Sequence, residues 1–279
     1  MYAPTPTIGM LIRQWRQRRR LSQLELAADA DISTRHLSFL ETGRSSPSRE
    51  MVLRLAERLD VPLRERNRML VAAGFAPMYR ERALDDPELL AARQAVDTLL
   101  AAHEPFPALA IDRHWHLVAA NRTVHRLLDG IDPALLAPPP NVLRLSLHPR
   151  GLAPRIANLG QWRRHLLARL QHQVDATADT QLEALLVELR ELPVLSQGHD
   201  APEPAGASES VVVPLQLHTP HGLLSFIGTT TVFGTPADIT LAELALELMF
   251  PADAFTAQAL RAAMAGVPQP TAVEPESAS

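Results

Sequence analysis

The sequence predicts two folds in succession, an all-α five-helix unit and then a larger α+β domain, and three observations carry this. Leu21 to Pro47, LSQLELAADADISTRHLSFLETGRSSP, reads as two short helices around a tight turn. Helical spacing of apolar residues flanks that stretch from Ile8 to Ala73. Beyond Pro105 the pattern changes to short apolar runs bounded by turn residues. A chain of 279 residues has room for two separate cores.

The helices follow in order. A first helix runs from Ile8 to Arg19. Ser22 and Glu25 stand at capping-box spacing, so a second begins at Gln23, with Leu24, Ala27 and Ala28 expected on its buried face. Ala30-Asp31 breaks it, because Asp tolerates the left-handed backbone of a sharp turn. Ser33 caps a third helix through Phe39 or Leu40, which buries Leu37 and Leu40 and turns Thr34, Arg35, Ser38 and Phe39 outward. A fourth starts after Ser48 with the stripe Met51, Val52, Leu55, Ala56, Leu59. Pro62 interrupts, and a fifth helix, Leu63 to Ala73, stops at Gly74. The expected domains are residues 1–78, residues 79–265 and a Pro-, Ala- and Glu-rich tail, 266–279, expected to be disordered.

The second domain opens with a helix from Leu84 to Ala102. Ala108 to Asp112 and Trp115 to Ala119 form a hairpin around Arg113-His114. Asn121 caps a helix through Leu128, and Asn141 to Leu147 makes a short helical turn. Ile156 to His172 and Asp179 to Leu192 are amphipathic helices. The polar stretch Gln197 to Ser210 separates them from two strands, Val211 to His218 and Leu223 to Val232, which turn at Thr219-Pro220-His221-Gly222. A last helix is expected from Thr240 to Met249, with Glu243 and Glu247 on one face.

Charge separates the two parts. Residues 1–80 hold 14 Arg against 8 acids, and the remainder holds 13 Arg against 23 acids, so the overall −4 hides a basic head on an acidic body. Phosphate neutralisation dominates nucleic-acid binding, which points to the head and its cluster Arg13, Arg16, Arg18, Arg19 and Arg20. The absence of cysteine excludes disulfides and thiolate metal sites. No apolar run approaches a bilayer span, and MYAPTPTIGM does not have the pattern of a secretory signal. A cytoplasmic protein with no membrane partner is expected. The sequence has no P-loop, no G-x-S-x-G elbow, no H-E-x-x-H and no dinucleotide glycine pattern, and Ser196 and His199 have no evident orienting acid. No enzyme and no cofactor are therefore expected.

Residues 8–73 resemble the lambda-repressor/Cro-like, xenobiotic-response-element family of helix-turn-helix regulators. The carriers are Leu11, Arg16, Leu21-Ser22-Gln23, Leu26-Ala27, Ile32-Ser33, Leu37, Leu40-Glu41-Thr42-Gly43-Arg44, Pro47 and Leu55-Ala56, with Asp31 departing from the family's usual Gly. The resemblance implies an operator in double-stranded DNA as partner. It implies a phosphate contact from Gln23 and base-edge contacts from Thr34, Arg35, Ser38 and Phe39, with Arg44 beside them. It also implies an ion pair between Arg16 and Glu41. A solvated αα-hairpin is the competing reading of the same two helices.

The second domain resembles the MmyB-like ligand-binding domain, which is PAS-like in fold. The resemblance rests on Pro105-Phe106-Pro107-Ala108, Asp112-Arg113-His114-Trp115, Ala120-Asn121-Arg122, Asn141-Val142-Leu143-Arg144, His148-Pro149 and Phe233-Gly234-Thr235-Pro236. It extends through Asp238, Thr240, Glu243-Leu244, Glu247 and Phe250-Pro251. It implies a hydrophobic, fatty-acid-like small-molecule effector and fits a homodimer. Asn121, Arg144, Trp162 and Phe226 are the candidate ligand contacts, with Arg144 as the cation for a carboxylate. For Asn121 and Arg144 a structural reading competes, as helix caps or strand ties, and for Trp162 and Phe226 a core role does. His114 and His116 share a strand face, but no third ligand stands at a defined spacing from them, so no metal is expected. Glu243 and Glu247 are read as surface or interface acids. The alternative for the whole domain is dimerisation or partner docking without a small-molecule ligand.

Overall fold

In the computed structural model, residues 6–193, 212–220, 222–234 and 238–265 are described. The polar stretch Gln197 to Ser210 and the tail 266–279 lie outside the described residues. The chain forms two compact units. One comprises the described parts of residues 1–83, 175–178 and 235–242, and the other those of residues 84–174, 179–234 and 243–279.

The first unit contains the five expected helices, α1 (Ile8–Arg18), α2 (Gln23–Asp29), α3 (Thr34–Glu41), α4 (Arg49–Arg58) and α5 (Leu63–Ala72). Ser22 and Glu25 close a reciprocal capping box on α2, and Ser33 and Ser48 cap α3 and α4. Asp31 takes the left-handed conformation, φ 54°. The core gathers Ile12, Trp15, Leu26, Leu37, Leu40 and Leu55. Leu24, 69% exposed, and Ala28, also exposed, depart from the expectation, while Ala27 is buried as expected. The buried face of α2 is formed instead by Leu26 and Ala27, continued at Ala30, because α2 packs against α3 and α4. Gly9 lets α1 meet the end of α3, since a Cβ there would lie 2.5 Å from the Leu40 carbonyl oxygen and 2.7 Å from that of Glu41. A short helix, Ile239–Ala242, also belongs to this unit and packs on α5. Beside it Arg82 donates to Asp238 at 2.8 Å, and the Ile239 N–H donates to the Arg80 carbonyl at 2.8 Å.

The second unit opens with a 3-10 turn, Pro87–Leu89, and α6 (Leu90–Ala102). The hairpin β1 (Ala108–Ile111) and β2 (Leu117–Ala120) follows, then α7 (Arg122–Leu127), α8 (Val142–Leu147), α9 (Leu159–Thr177) and α10 (Thr180–Glu191). After these come β3 (Leu215–Thr219) and β4 (Gly222–Val232). The expected helix from Thr240 to Met249 is not formed. The segment splits into α11, the Ile239–Ala242 helix above, and strand β5 (Ala245–Pro251), and a helix α12 (Ala254–Ala265) comes after it. The sheet is antiparallel throughout, in the order β2-β1-β5-β4-β3. Leu246 sits opposite Ala110 on one side and Thr231 on the other.

Two cores share this sheet. Leu109 and Ile111 join the main core with Leu143, Leu166, Leu170 and Leu185 from the helices. Ala108, Ala110, Leu244 and Leu246 join a smaller one with Val96 and Leu100 of α6. Alternation along β5 sends Leu246 to the α6 side, whereas Ala245 and Met249 pack on the main core.

The close approach at Gly9 generates a test. Gly9→Ala must push α1 off the end of α3, and the full-length chain should lose about 1–3 kcal/mol in its first unit. Hydrogen exchange at the α1 and α3 amides reads this directly. Unchanged protection would mean that the two helices do not meet so closely.

Candidate DNA interface and effector cavity

Arg16 and Glu41 form the ion pair that the resemblance implied. Arg16 Nε lies 2.6 Å from Glu41 Oε1 and Nη2 lies 2.9 Å from Oε2, while Nη1 donates to the Leu21 carbonyl. The two side chains are 11% and 3% exposed. Burial pushes the Glu41 carboxyl up, but the hydrogen bonds from Arg16 and Gln23 outweigh it and hold the group below its ordinary value. Gln23 Nε2 donates to Glu41 Oε2 at 2.8 Å, so the expected phosphate contact shares its amide with the brace.

The arginine cluster divides by role. Arg16 holds Glu41, and Arg19 donates to the Leu59 and Asp60 carbonyls at 2.8 and 2.6 Å. Both tie helices together, while Arg13, Arg18 and Arg20 are exposed. On α3, Arg35 is exposed and Thr34, Ser38 and Phe39 are half-buried. The Arg35 and Arg44 guanidinium groups lie 5.3 and 5.9 Å from the centre of the Phe39 ring. This aromatic contact orients two cations beside the helix without neutralising either.

The second unit holds a cavity of about 350 Å³ on the main-core side of its sheet. Hydrocarbon dominates its walls, among them Leu109, Trp115, Leu143, Leu166 and Met249. Of the four sequence candidates only Trp162 lines it, with the indole N–H donating to Ser146 Oγ at 2.9 Å. Phe226 is fully buried in the core and is not a lining residue. Asn121 caps α7 and also donates to the Leu100 and Phe106 carbonyls, tying α6 to the sheet. Arg144 is held by Glu188 at 2.6 and 2.7 Å and does not line the cavity.

Two charged groups that do line it are Arg169 and Glu247. Arg169 of α9 clasps both carboxylate oxygens of Glu247, donates to Thr230 Oγ1 at 2.7 Å and stacks 4.6 Å over the Trp115 ring. Reading Glu247 as a helical surface acid concealed it, since β5 turns alternate residues inward. The signal for Arg169 was its place beside the buried stripe Trp162, Leu166, Leu170. His165 lines the same end, stacked 5.5 Å from Trp162. Burial and then the Arg169 charge depress its pKa, with Glu247 opposing, which favours the neutral ring.

At the β1–β2 turn the structure supplies the third group that sequence spacing did not, since Asp112, His114 and His116 bring ligand-type atoms within 4.8 Å of one another. Each already has a partner. Asp112 accepts the His114 and His116 backbone N–H groups, His116 Nδ1 meets Asp112 at 3.0 Å, and His114 Nε2 meets Asp179 at 2.9 Å.

A family model described as the MmyB-like transcription regulator ligand binding domain matches residues 92–263, and one described as helix-turn-helix matches residues 12–66. No curated protein matches the chain. One solved structure, that of an RNA-binding light-oxygen-voltage receptor, aligns over 88% of this chain and 59% of its own, at 12% identity and a TM-score of 0.25. No described helix is long and apolar enough to cross a membrane.

The buried ion pair sets a pH and mutational test. Glu41→Ala leaves Arg16 without its partner and should cost about 3–5 kcal/mol, whereas Glu50→Ala, at an exposed position, should cost far less. Because the folded-state pKa of Glu41 is lowered, its contribution is complete above the unfolded carboxyl pKa and disappears as pH falls through the folded value. Urea melts of the full-length chain from neutral to acid pH should show the Glu41→Ala deficit shrinking. Equal midpoints for the two variants at neutral pH would remove the brace.

Proposed function

The chain belongs to the MmyB-like transcription regulators, and from that premise we propose that it reads a specific operator through α3 and senses an apolar small molecule in the cavity of its second unit. DNA binding follows from the helix-turn-helix match and from the exposed cations Arg35, on α3, and Arg44, just beyond its end. Arg35 and Arg44 stand beside half-buried Thr34, Ser38 and Phe39, a set suited to base edges in the major groove. Gln23 has a second amide hydrogen for a phosphate after donating one to Glu41. The protein works in the cytoplasm, binds as a homodimer and catalyses no reaction of its own.

The cavity carries the sensing half of this reading. Its volume of about 350 Å³ falls within the range of roughly 300–1,000 Å³ typical of small-molecule sites. Its walls are hydrocarbon with polar side chains at a few positions, which suits a molecule with an aliphatic body like that of a fatty acid and one polar end. A domain built only for dimerisation or docking has no need of such a space.

Two measurements test the halves. Arg35→Ala should weaken operator binding by about 1–3 kcal/mol and relax preference at one base pair, while Gln23→Ala weakens all duplexes alike. Equal losses for Arg35→Ala on operator and scrambled DNA would remove α3 as the reader. For sensing, aliphatic chains of graded length, with acid or alcohol ends, should raise the thermal midpoint of the second unit in a concentration-dependent way. If no chain of either kind moves it, the cavity is not an effector site.

A further inference from the structure

The polar groups of the cavity form a linked set. Ser146 accepts from Trp162, Trp162 stacks on His165, and His165 lies within the electrostatic reach of Arg169 and Glu247. Among the described lining residues Arg169 is the one permanent cation and Glu247 the one carboxylate. They neutralise each other, for the guanidinium spans both oxygens of Glu247 and is further fixed by Thr230 and the Trp115 ring.

A ligand carboxylate seated at this end would face the Glu247 carboxylate across a poorly solvated space. The cation that could have received it is already engaged. Like charges brought together in such a place cost far more than they do in water. Arg144, the other cation considered for this role, lies outside the lining and is held by Glu188. His165 offers one donor and one acceptor rather than a charge. The Ser146 hydroxyl, which accepts from the indole, keeps its own hydrogen to donate.

We propose that the effector's polar end is neutral and hydrogen-bonding, an alcohol, ester, lactone or amide on an apolar body, and that the Arg169–Glu247 pair selects against ionised acids. This rests on the reading of the cavity as an effector site. The pair acts as a charge filter, because either ion of a ligand must break a closed ion pair to be received, whereas a neutral group is accepted by the side chains around it.

The test uses the full-length protein and three probes with one chain, dodecan-1-ol, methyl dodecanoate and dodecanoate. Trp115 and Trp162 both line the cavity, so tryptophan fluorescence and the thermal midpoint each report occupancy. The two neutral probes should bind roughly ten-fold or more tightly than dodecanoate. Glu247→Gln frees Arg169, and should bring dodecanoate level with or ahead of the alcohol. Dodecanoate binding the unaltered protein as tightly as the alcohol would overturn the filter while leaving the effector site standing. Silence from all three probes would overturn the effector site, and this inference with it. The order of affinities on the unaltered protein decides the matter even if the variant does not fold.

Discussion

Strand β5 has to satisfy hydrogen bonds on both edges and packing on both faces, and the second unit is arranged around meeting those demands together. Its edges take β1 and β4, so the two hairpins become one sheet only through it. Leu246 closes the smaller core under α6, and Glu247, next along the strand, reaches the cavity. A one-residue slip would exchange those faces, exposing the carboxylate to hydrocarbon and the leucine to Arg169. Register therefore fixes the cavity's electrostatics as firmly as it fixes the sheet.

The first unit answers a different demand, that of packing helices which carry many like charges. It does so by assigning arginines to carbonyls and carboxylates inside the domain. Arg16 closes on Glu41 and Leu21, and Arg19 closes on the end of α4. Their alkyl stems and planar heads fill space that lysine would fill less well. Among the arginines left exposed are Arg35 on α3 and Arg44 just after it, with Arg13 and Arg18 on α1 and Arg20 just beyond its end.

Local chemistry made most of this legible in advance. Ser22 with Glu25, Ser33, Ser48, Asn121 and Asn141 each place a helix start from a side chain and its own neighbours, and each does so in the structure. What could not be read locally was β5. Thr240 to Met249 is rich in helix formers, and the run ALELM favours a helix by propensity. Leu244, Leu246 and Leu248 also alternate, a period of two that becomes decisive only when β1 and β4 stand ready on either side. The Arg169–Glu247 pair was hidden for the same reason, since its members meet only after a helix and a distant strand have found their places. Arg144 failed to reach the cavity because its position on the short helix α8 turns it to Glu188 of α10 instead.

The chain leaves the sheet after β4, contributes Asp238 and α11 to the first unit, and returns as the central strand. The first unit is thus discontinuous in sequence, closed by Asp238 against Arg82 with side chains only 6% and 18% exposed. Recombination that exchanges the two units at a single junction just after residue 83 would separate Asp238 from Arg82, and α11 from α5. Chimeras between relatives would have to carry two pieces of chain together, so evolution by simple end-joining is obstructed here. The graft unit is set by contacts, and it ends on both sides of the central strand's approach.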